Sequence, residues 1–95
     1  MTNYEVMFVI DPTLEDEKKE ATVETVKSII AADGEVGAVE TLGMKKLAYP
    51  ILKHTEGYYV LVTFKGNATL PKELDRRLRI SDNVIRHIII NKDEK

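Results

Sequence analysis

The run Tyr58-Tyr59-Val60-Leu61-Val62-Thr63-Phe64 is apolar on both sides of any strand it forms. Tyr58, Val60, Val62 and Phe64 fall on one face, Tyr59 and Leu61 on the other. Aromatic and β-branched residues suit a pleated, buried strand, and a strand apolar on both sides requires cover on both. Upstream, Met44–Leu52 is a second β-favouring run. The polar segment Lys53-His54-Thr55-Glu56-Gly57 between the two reads as the loop of a longer, glycine-containing hairpin. Pro50 lies in the first run and has no amide hydrogen, so that strand belongs at a sheet edge with the Pro50 nitrogen facing outward. The rest of the chain must cover one face of this sheet. Whether it covers both decides how the molecule is used.

The chain has 95 residues, which makes one domain, 1–95, that buries ~60% of its unfolded surface in one modest core. There is no cysteine, which excludes disulfides, thiolate metal sites and thiol nucleophiles. Met1-Thr2-Asn3-Tyr4-Glu5 has neither a basic n-region nor a long apolar h-region, and no run approaches the ~20 apolar residues of a membrane span. A cytoplasmic protein is the simplest reading. The net charge of −2 conceals an asymmetry: residues 1–40 carry three lysines against ten carboxylates, a net −7, and residues 41–95 carry eleven basic residues against six, a net +5. A basic half hints at a polyanion contact; solvation of an acidic and a basic helix is the plain alternative.

In chain order, Tyr4–Ile10 is a strand with Tyr4, Val6, Phe8 and Ile10 on one face and Asn3, Glu5, Met7 and Val9 grading from polar to apolar on the other. Asp11-Pro12 ends it. Thr13-Leu14-Glu15-Asp16 opens a helix, with Thr13 as cap, Asp16 in the capping-box position and the acidic first turn facing the positive end of the macrodipole. Val23, Val26, Ile29 and Ile30 form its buried stripe, and Gly34 supplies a left-handed stop. Glu35–Glu40 is a weaker strand that reaches the edge strand through Leu42-Gly43, where a bulge or bend fits. Thr69-Leu70-Pro71 starts a second helix with proline in its first turn. Leu70, Leu74 and Leu78 are its core stripe, and Arg76, Arg77 and Arg79 lie at its C-terminal end. Ser81-Asp82-Asn83 is turn chemistry, Val84–Ile90 a final strand, and residues 91–95 a polar tail expected to fray.

The order β-α-β-β-α-β, with right-handed crossovers, gives an α+β, ferredoxin-like sandwich: a four-stranded antiparallel sheet with two helices on one face. The other face stays bare. Met7, Val9, Tyr49, Tyr59 and Leu61 are the residues assigned to it, and a contiguous apolar patch of this kind marks a protein-docking surface. Lys45, Lys46 and Lys53 lie beside it, with Arg79 and Arg86 elsewhere on the basic half. Base stacking on such a face needs a Lys/Arg-Gly-Phe/Tyr strand pattern that is absent. Phosphate contact by lysines and arginines needs none. Acylphosphatases share the architecture but place an arginine in the loop after the first strand; here that loop is Ile10-Asp11-Pro12-Thr13, whose carboxylate repels phosphate. His54, in the loop, and His87, in a strand, are too isolated for a metal pair or a nucleophile with its base. A regulatory module that dimerises through its sheet is a third class, and a stable homodimer without RNA affinity would favour it.

Four blocks carry a family resemblance: Tyr4–Leu14; Glu40-Thr41-Leu42-Gly43-Met44-Lys45-Lys46-Leu47-Ala48-Tyr49-Pro50-Ile51; Glu56-Gly57-Tyr58-Tyr59; and Leu78-Arg79-Ile80-Ser81-Asp82-Asn83-Val84-Ile85-Arg86. Together, and in this order, they resemble the bacterial small-subunit ribosomal protein six family over nearly the whole chain. The resemblance implies the same ferredoxin-like fold and a non-enzymatic role: binding 16S ribosomal RNA in the central domain of the small subunit together with small-subunit protein eighteen. It implies no cofactor, no small-molecule substrate and no membrane. In that setting the expected RNA contacts are Lys45, Lys46, Lys53, Arg79 and Arg86, and the bare apolar face is where the protein partner sits.

Overall fold

The computed structural model describes residues 2–51 and 54–93, without side chains at 48–51 and 54. The elements are β1 (Thr2–Ile10), α1 (Asp16–Asp33), β2 (Gly34–Ile51), β3 (His54–Gly66), α2 (Leu70–Arg79) and β4 (Val84–Asn91). All three strand pairings are antiparallel, in the order β2-β3-β1-β4. Both helices pack on one face of the sheet. There Val6, Phe8, Val60, Val62 and Phe64 meet Val26 and Ile30 of α1 and Leu70, Leu74 and Leu78 of α2. The Tyr4 and Phe64 rings stack with centroids 5.4 Å apart. The expected fold is the observed one, with β2, the strand that contains Pro50, at a sheet edge.

Local details depart from the sequence reading for identifiable reasons. Thr13 does not cap α1, because its amide and hydroxyl both donate to Asp11 Oδ1, at 2.9 and 2.7 Å, closing an Asx turn before the helix. Glu15 takes the N-cap position without a side-chain bond. Gly34 is no left-handed stop: its φ of −164° is extended. What it supplies is room, since a Cβ there would overlap Lys65 O and lie 2.8 Å from Leu70 Cδ2. Ahead of α2, Asn67 Oδ1 accepts from the Thr69 and Leu70 amides, 3.1 Å each, and does the capping.

The segment 35–51 is one strand with three register shifts, between Val36 and Val39, between Thr41 and Gly43 and between Lys46 and Ile51, of which the first two each insert one extra residue opposite β3. Gly43, at φ +81°, takes up the second bulge, as its place in the sequence suggested. The hairpin loop is shorter than expected, because pairing continues through Lys45–Gly57 and Lys46–Glu56 to Ile51–His54. His54–Gly57 therefore belong to β3. Of residues 91–95, Asn91 ends β4, the Lys92 amide donates to Asn3 O (2.9 Å), and Asp93 accepts from the Asn3 amide and side chain at 2.9 and 3.0 Å.

The uncovered sheet face as a candidate interface

Opposite the helices, the register arranges side chains in rows across the sheet. Strand alternation puts residues two apart on one face, and direct pairing then gives three rows in the order β2-β3-β1-β4. The first is Gly43–Tyr59–Val9–Arg86, the second Glu40–Leu61–Met7–Ile88, and the third Thr63–Glu5–Ile90. The middle row is apolar across three strands. Met7, Val9, Tyr59, Arg86 and Ile88 surround a shallow depression of about 140 Å³. Ile88 and Ile90 are 38% and 50% exposed, large values for isoleucine in a sheet, whereas Val9 is only 2% exposed.

Val9 is covered from within the chain. Gly57, its diagonal neighbour on β3, has no side chain, and a Cβ there would overlap Val9 Cγ1 and touch Leu47 Cδ2 at 3.4 Å and Tyr59 Cε1 at 3.6 Å. Leu47, itself 9% exposed, thus closes over that end of the face. Of the residues assigned to the bare face, Met7, Tyr59 and Leu61 lie there half-buried, Val9 lies there but is roofed, and the Tyr49 side chain is outside those described. Sequence reasoning missed Ile88 and Ile90. The signal was available: Ile88-Ile89-Ile90 is apolar on both sides of its strand, as residues 58–64 are.

The five basic residues do not form one patch. Lys45 and Lys46 are consecutive in a strand, so Lys45 shares the uncovered face beside Gly57 and Lys46 the helix side beside Glu56. Lys53 lies outside the described residues. Arg86 rims the uncovered face on β4, at the far edge of the sheet from Lys45, and neither it nor either of the two lysines has an ion-pair partner among the described residues. Arg79 sits on α2, on the helix side, and pairs with Asp75. Asp75 Oδ1 also lies 2.6 Å from His87 Nε2; an ionised carboxylate only accepts, so His87 donates. That hydrogen bond first, and the Arg79 charge next, hold the Asp75 carboxyl below its ordinary range. Both His87 and Arg79 are thereby accounted for structurally. Among the described residues no group of three or more His, Asp or Glu is placed to hold a metal ion, and no helix is long and apolar enough to cross a membrane.

Residues 3–91 match the family described as ribosomal protein S6. The chain is 53% identical over 90 residues to the small ribosomal subunit protein bS6 of Clostridioides difficile, covering 95% of this chain and 98% of that one. It is 50% identical over 96 residues to the bS6 of Clostridium kluyveri, covering all of both chains. The crystal structure of 30S ribosomal protein S6 from Thermotoga maritima superposes with a TM-score of 0.92 at 35% identity, over 97% of this chain and 88% of that one.

Proposed function

With the chain belonging to the ribosomal protein S6 family, and so a structural, non-enzymatic component of the small ribosomal subunit, we propose that it binds 16S ribosomal RNA in the central domain together with small-subunit protein eighteen. One observation carries this reading: an apolar row, Leu61–Met7–Ile88, left uncovered on a face whose edge strands carry the cations Arg86, one row away on β4, and Lys45, two rows away on β2. The apolar row seats the protein partner. The hairpin, with Lys45, Lys46 and Lys53, approaches phosphates; Arg86 offers a second point at the opposite edge, and Arg79 joins it only by leaving Asp75.

Few phosphates are neutralised by so small a set of cations, so the chain alone binds its RNA weakly and the pair binds much more tightly. Titration of a labelled 16S fragment with this chain, with and without protein eighteen, tests this, and equal affinities would refute it. Lys45→Glu with Lys46→Glu is expected to weaken the ternary complex and lower the slope of log affinity against log salt by about 2, with thermal unfolding nearly unchanged. A wild-type salt slope would remove both lysines from the RNA contact.

A further inference from the structure

We infer that the uncovered face is complementary to itself, and that when its subunit partner is absent it pairs reversibly with the same face of a second copy, about a two-fold axis parallel to the strands. The inference rests on the reading of that face as a protein-docking surface. Charge selects the partner and the axis. Glu40 and Arg86 stand at opposite edges of the same face, in adjacent rows, and neither has an ion-pair partner among the described residues.

A two-fold axis along the strands lays each row over itself in reverse, as an isologous interface requires. β2 of one copy then crosses β4 of the other. Leu61 falls over Met7, Tyr59 over Val9, and Arg86 over Gly43, where the missing side chain leaves room beside Glu40. The Arg86–Glu40 pair forms twice. The alternative axis, across the strands, stacks Glu40 on Glu40 and sets Arg86 over Ile90, which opposes like charges and pairs none. Lys45, beyond Gly43 on the same face, opposes the arriving Arg86 and keeps the association modest. Four strands ~4.8 Å apart and three rows ~6.8 Å apart give roughly 400 Å² of projected sheet per copy. That is about 800 Å² for the two copies together, below the standard size and in the class of weak, transient contacts, whose dissociation constants run from about micromolar to millimolar.

Sedimentation equilibrium of the full chain, over concentrations bracketing that range, is expected to show a monomer–dimer equilibrium. Arg86→Glu and Glu40→Arg should each weaken dimerisation by about tenfold or more, and the two together should restore it to within about threefold of wild type. Both positions lie on the sheet surface, and circular dichroism of each variant confirms that the fold is kept. A monomer at every concentration, single variants that associate like wild type, or a double variant no better than the singles would each overturn the inference. Binding of protein eighteen, measured separately on the wild-type chain, tests the docking reading itself.

Discussion

Gly57 stands in a strand, where glycine is worse than alanine by about 0.5–1 kcal/mol, and its backbone φ is not in the left-handed region. Its presence therefore has a steric cause: a methyl at this position would overlap Cγ1 of Val9, a short β-branched side chain with little freedom to move aside. Gly57→Ala is expected to cost about 1–3 kcal/mol through overpacking. Val9→Ala removes two carbons from a site only 2% exposed, at ~0.8 kcal/mol each plus a cavity contribution, about 2–3 kcal/mol in all. In the double variant the new methyl occupies the space vacated by Val9, so the combined loss should fall short of the sum by about 1 kcal/mol or more. Urea unfolding of the four proteins measures the cycle, and each kcal/mol should move the melting temperature by about 4–8 °C in a domain of this size. Additivity within ~0.3 kcal/mol would show that the two residues do not share that space, and with it would go the account of how Val9 is roofed.

Other consequences follow from single positions. Gly43 has φ +81° and open space where a Cβ would project, so Gly43→Ala should cost about 1–2 kcal/mol from conformation alone and Gly43→Asn less; equal losses in thermal unfolding would contradict this. Asp75 has a folded-state pKa below its unfolded one, so its contribution is complete above its ordinary value of about 4 and drains away as the pH falls from there to the depressed folded value. The stability difference between wild type and Asp75→Asn, followed by urea unfolding against pH, should shrink in that acid window.

Periodic signals were legible in the sequence where a helix or strand buries one stripe. Leu70, Leu74 and Leu78 repeat every four residues and are all buried in the observed core, and Tyr4, Val6, Phe8 and Ile10 alternate and are buried too. Glycine misled, because turn chemistry and close packing use the same residue. Gly34 was read by conformation and Gly57 as part of a hairpin loop, yet both are held by what surrounds them. Composition also groups neighbours that a strand separates. Lys45 and Lys46 read as one basic edge, although consecutive strand residues point to opposite faces. The family was recognisable from ordered blocks of residues, whereas the rows of the uncovered face depend on register, which the first two β2 bulges shift by one residue each and no periodicity reports.

The sheet order carries a temporal consequence. β1, which leaves the peptide tunnel before β3 and β4, lies between them, with Tyr4 opposite Phe64 on one side and Asn91 on the other. A growing polypeptide cannot flank that strand on both sides until residue 91 has been added and has emerged. Cooperative folding therefore waits for β4, and until then β1 keeps an unsatisfied border open to aggregation.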